Sequence, residues 1–141
     1  MQAVSTFESF VIEDQFDRAL KTIRSELTAT DLNIVAEFDT AEVINGNPSR
    51  RPCRILLVDN PLLVFEALAL DRAAAVFLPL HVVISGAGDR TEVSIANPTH
   101  LLDARFPAGA ADPVDRLVGR IELALQSASE RHAGAKPDGA R

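Results

Sequence analysis

Apolar and polar positions alternate in blocks that predict a short-stranded chain with helices between the strands. "TFESFVIE" is rich in aromatic and β-branched residues, which predicts a first strand over Thr6 to Ile12. Phe16, Ala19, Leu20, Ile23 and Leu27 then recur every three or four residues, while Asp17, Arg18, Lys21, Arg24 and Glu26 take the other face. That is the pattern of an amphipathic helix, with Asp14 placed to cap it. "NIVAEFD" alternates as a second strand, Asn33 to Asp39, and "TAEVING" predicts a helical turn or two stopped by Gly46. Arg51 to Val58 is a third strand. Cys53, Ile55 and Leu57 lie on one face, Arg54, Leu56 and Val58 on the other, and apolar residues on both faces near its end predict a central position.

Pro61 to Leu70 is apolar almost all round, with Glu66 its one charge, so this helix needs cover on more than one side, from the core or from another subunit. Val76 to Ser85 reads as a fourth strand and Thr91 to Ala96 as a fifth, joined by a hairpin loop from Ser85 to Arg90. Pro79 lacks an N–H for a ladder and predicts a bulge or an edge position. Val114, Leu117, Val118, Ile121 and Leu125 form the stripe of a last helix starting at Asp112-Pro113. From Ser129 the periodicity ends. The expectation is one domain over residues 1–128 and a mobile tail over 129–141.

Three Asx-Pro steps punctuate this order: Asn60-Pro61, Asn97-Pro98 and Asp112-Pro113. A side-chain oxygen before the first turn can accept one of its orphaned N–H groups, and Pro supplies the right φ with no N–H of its own. Capping accounts for all three. Asp59, beside Asn60 at the end of a strand, is left over as a candidate ligand contact, since sites often form at strand ends.

The chain's 141 residues and 47% hydrophobic content are enough for one globular core. A net charge of −6 with no basic stripe repels phosphate backbones and excludes nucleic acid as an expected partner. Cys53 is the single cysteine, so neither an internal disulfide nor a thiolate metal cluster is expected, in keeping with a reducing cytoplasm. The N-terminus lacks a basic stretch followed by an apolar one, and the run from Ala73 to Ile84 is broken by Pro79 and His81. Neither a signal peptide nor a membrane span is expected.

Candidate chemistry is sparse. His81 shares a strand face with Phe77 and Val83 and has no Cys or His at metal-ligand spacing; His100 stands in a turn near Asp103, and His132 in the tail. Cys53 alternates with Ile55 and Leu57 and reads as a small, inert, buried hydrophobe. Arg50, Arg51 and Arg54 make a small cationic group, and Gly86-Ala-Gly88 reads as turn glycine rather than a phosphate loop. No metal site is expected, and the residues leave a cofactor unknown.

The segments "FDTAEVINGNPSRRPCRILLVDNP", "LPLHVVIS" and "EVSIANPTHLLDARF", in that order, resemble the domain of unknown function 302 family over Phe7 to about Ala128. The matching points are Asn60-Pro61, Leu78-Pro79 and Asn97-Pro98. The resemblance implies a two-layer α+β sandwich of order β-α-β-β-α-β-β-α with a mainly antiparallel sheet, usually dimeric and without an established reaction. Many members carry Asp-His where this chain has Asp39-Thr40, and Arg-His where it has Arg105-Phe106; a site using those histidines would be lost here.

Two functional expectations follow. The first is a non-catalytic homodimer that acts as a scaffold or holds a small ligand between sheet and helices. The alternative is an enzyme or cofactor binder whose Asp59, Asn60, His81 and Arg54 converge on one cleft.

Overall fold

The computed structural model describes residues 7–40, 51–102 and 105–140. The strands are β1 (Phe7–Ile12), β2 (Asn33–Asp39), β3 (Cys53–Asp59), β4 (Leu80–Ala87) and β5 (Arg90–Ala96); the helices are α1 (Phe16–Ala29), α2 (Pro61–Leu70) and α3 (Ala111–Ala140). All five strands form one sheet of order β1-β5-β4-β3-β2 in which every neighbouring pair is antiparallel. This is the α+β sandwich expected, in the order expected. The turn or two predicted within "TAEVING" falls almost wholly outside the described residues.

One face of the sheet carries the core. Ile12, Leu56, Val58, Leu80, Val82, Ile84, Val93 and Ile95 meet Ile23 and Leu27 of α1 and Val114, Leu117, Ile121 and Leu125 of α3 in one buried cluster. The residues of the α1 stripe are the ones buried. Asp14 does not cap this helix. Gln15 holds the cap position without a side-chain bond, while Asp14, one residue too early, accepts the Gln15 N–H and the Arg18 Nε–H. At the other end Leu32 N–H reaches Leu27 O and Asp31 N–H reaches Thr28 O, a Schellman closure that puts Asp31 at φ 66°.

Several sequence expectations shift. Strand β4 begins at Leu80, after a 3₁₀ turn over Arg72–Ala75. Pro79 therefore stands outside the ladder, and β4 is central with no bulge required. The hairpin is tighter than predicted, because Gly86 pairs with Thr91 and only Gly88 adopts a positive φ, of 74°. Gly86 is needed for space: a Cβ there would lie 2.9 Å from Pro52 Cγ. Helix α3 starts at Ala111, so Asp112 lies inside its first turn and its carboxylate accepts from Arg116 at 3.2 Å. The expected tail continues α3 as far as Ala140; Ser129 Oγ donates to Val11 O at 3.0 Å and Arg131 pairs with Glu26 at 2.6 Å. This extension of the helix carries no apolar stripe in the sequence, so periodicity could not reveal it. No helix among the described residues is long and apolar enough to cross a membrane.

Helix α2 departs most from expectation. Only Leu63 and Ala67 are buried, while Leu62, Phe65 and Leu68 stay 59%, 67% and 46% exposed, with Val76 beside this connection at 64%. Among the described residues the helix is covered on one side only.

Candidate functional site

Among the described residues, no helix lies over the second face of the sheet. Strand alternation puts Phe7, Ser9 and Val11 of β1, Glu92, Ser94 and Ala96 of β5, His81 and Val83 of β4, and Cys53, Ile55, Leu57 and Asp59 of β3 on this side, opposite the core residues of the same strands. Register aligns them: Phe7 stands across from Ala96, Val83 from Ser94, and Leu57 from His81. Cys53 thus belongs to the uncovered face and is half-buried rather than sunk in the core.

A pocket of about 400 Å³ opens on this face. Leu57, His81, Val83 and Ser94 contribute from the strands; Val76, Phe77, Leu78 and Pro79 from the connection into β4; Phe7, Ala96 and Pro98 from the far end. The space between sheet and helices, where a ligand was expected, is filled by the core cluster. The walls are mostly hydrocarbon, and His81 is the one titratable side chain among them. Such a site offers desolvated apolar contact, an imidazole that can donate or accept, and the Ser94 hydroxyl. It holds no carboxylate to orient the imidazole and no second base. Among the described residues no group of three or more His, Cys, Asp or Glu could hold a metal ion.

The four sequence candidates do not converge. His81 lines the pocket. Asp59 shares its face at the end of β3, opposite Asn33, but does not line the pocket; burial raises its carboxyl above the ordinary value. Asn60 is 4% exposed and caps α2: its Oδ1 accepts the Leu63 N–H at 3.1 Å, and its Nδ2 donates to Asp31 O at 2.9 Å. Both ends of the amide are used structurally. Asn97 repeats the device at the Pro98–Leu101 turn, accepting from Thr99 N–H at 3.0 Å.

Arg54 lies on the helix side of β3, since its neighbours Leu56 and Val58 point into the core. There it shares Glu37 with Arg24, approaches Asp39 at 3.6 Å and stands 6.0 Å from the Phe16 ring centroid. Arg51 Nε donates to Gly86 O at 3.1 Å, so these two arginines serve strand ends rather than one anion site; Arg50 lies outside the described residues. His100 Nδ1 is 3.3 Å from Asn97 O, and Asp103 lies outside the described residues. Sequence reasoning did not offer Leu57, Ser94, Phe7 or Pro98 as site residues. Their period-two positions carried part of the signal, but which face lacked a helix was not written in any one strand.

Among solved structures, the uncharacterized conserved protein DUF302 from Bacillus stearothermophilus is similar at a TM-score of 0.72 and 18% identity, covering 92% of this chain and 99% of that one, which supports the fold alone. A comparison with curated proteins finds no match. The family described as domain of unknown function DUF302 matches residues 8–128. With the antiparallel sheet and helix order found here, that match places the chain in the DUF302 family.

Proposed function

We propose that the protein is a non-catalytic homodimeric binding domain that holds a small, largely apolar ligand on the uncovered face of its sheet. The observation that carries this reading is the pocket of about 400 Å³ bounded by Leu57, Phe77, Val83 and Ser94, with His81 as its single titratable group. Its size is within the usual range for small-molecule sites, and hydrocarbon walls with a few polar atoms are the usual lining. General acid–base or nucleophilic chemistry needs at least a second group to activate or orient the first. Arg54 on the opposite face and Asn60 in its cap supply none. The enzymatic alternative thus loses the convergence on which it depends.

The dimer reading rests on α2. Scattered exposed leucines need no explanation, but Leu62, Phe65 and Leu68 recur at three-residue spacing on one side of an apolar helix, with Val76 also exposed nearby. A second copy of the chain would cover that side and supply the cover that the helix lacks.

The pocket is tested with 1-anilinonaphthalene-8-sulfonate, an anionic fluorescent reporter of apolar sites, which suits a chain with no Trp or Tyr. Saturable binding to the wild type, lost on filling the pocket by Val83→Trp while the fold is retained, supports the reading. Equal binding by the two folded proteins overturns it.

A further inference from the structure

Away from the pocket, two carboxyl groups meet where helix α3 lies along β1. Glu8 falls on the core side of β1 with Phe10 and Ile12, by strand alternation. Its Oε1 is shut off from solvent and has no hydrogen-bond partner. The group facing it is Glu122 of α3. Helix and strand keep step beyond this point. Glu122 to Ser129 is two helical turns, roughly 10 Å, and Glu8 to Val11 is three strand residues, also roughly 10 Å. Ser129 Oγ meets Val11 O at 3.0 Å. The seam therefore has a carboxyl pair at one end and a neutral hydrogen bond at the other.

Among the described residues no cation is paired with either carboxyl, and β1 has no other titratable group. Glu26 and Glu66, on the two helices packed against α3, have partners of their own. Glu26 of α1 is held by Arg131 at 2.6 Å, and Glu66 of α2 by Arg116 at 2.6 Å, which also takes Asp112. His100, in the turn before α3, is 3.3 Å from its own Asn97 carbonyl. Glu92 of β5 points to the opposite face of the sheet.

We propose that Glu8 and Glu122 share one proton and form a pH-sensitive clasp between β1 and α3, closed while the proton is held and loosened when it leaves. With the proton on Glu122, its O–H supplies the donor that the buried Glu8 oxygen lacks. Without it, two carboxylates repel across a partly desolvated seam. The Glu8 hydrogen bond, then burial, then the Glu8 charge push Glu122 up to about 7 from its ordinary 4.5. The folded state holds a proton that the unfolded chain has released, so this contribution to stability falls as pH rises from the unfolded value through the folded one.

The direct test is a carboxyl-carbon NMR titration of the full chain with labelled glutamate. The expected result is that Glu122 titrates near 7; Glu122 titrating near its ordinary 4.5 overturns the proposal. Melting temperatures between about pH 5.5 and about pH 8.5 give an independent readout. A wild-type decline across that window that is flattened in both Glu122→Gln and Glu8→Gln supports the clasp. An equal decline in all three proteins overturns it.

Discussion

Replacing Asn60 by Ala separates the capping role of this residue from a functional one. Two bonds are lost together: the cap to Leu63 N–H at 3.1 Å and the donation to Asp31 O at 2.9 Å. Loss of an Asn cap costs about 1 kcal/mol, and a second hydrogen bond in a partly buried setting contributes about another. Because Asn60 is only 4% exposed, water cannot readily replace the cap, and the expected total is about 2–3 kcal/mol. For a chain of this length that is a fall in melting temperature of about 6–10 °C. Asn60→Asp keeps an acceptor for Leu63 N–H, favoured by the helix N-terminus, but loses the donor to Asp31, so about half of the loss is expected. Urea unfolding followed by circular dichroism measures both variants, with reporter binding to the folded forms measured alongside. A loss below about 0.5 kcal/mol for Asn60→Ala, or reporter affinity abolished in a folded variant, would refute this account of the residue.

Other perturbations test separate joints. Gly86→Ala forces a Cβ to within 2.9 Å of Pro52 Cγ and 3.1 Å of its Cδ, and a proline ring cannot swing aside; a destabilisation of about 1–3 kcal/mol is expected by denaturant titration. Asp31→Gly relieves a left-handed residue at φ 66° and should raise stability by about 0.5–1 kcal/mol. Thr91→Val leaves the side-chain volume nearly unchanged but removes the 3.0 Å bond from a fully buried hydroxyl to Asp14 O, and a loss of about 1 kcal/mol is expected. Phe65→Glu charges the exposed side of α2. If α2 forms the proposed dimer interface, sedimentation should show a dimeric wild type and a folded monomeric variant.

The legible parts of this fold were those in which one local rule decided the outcome. The α1 stripe marks the buried side because a single helix face meets the core. Asn60-Pro61 and Asn97-Pro98 cap because the bonds they make span only two or three residues. Asp112-Pro113 reads the same in sequence, yet α3 starts before it, and the Asp112 carboxylate turns to Arg116. Leu57, Ser94 and Phe7 needed more than local rules, because their pocket depends on the order of strands and on which face of the sheet the described helices cover. Arg54 is the clearest case of a periodicity read correctly and a site read wrongly. It alternates with Leu57 and Cys53 as expected, and that same alternation carries it to the face away from His81.

The central claim is tested most directly by native mass spectrometry of freshly purified protein beside its denatured mass. A dimer carrying a reproducible extra mass that disappears on denaturation and is missing from Val83→Trp is the predicted result. A strictly monomeric protein at micromolar concentration, or an extra mass that persists when the pocket is filled, would contradict it.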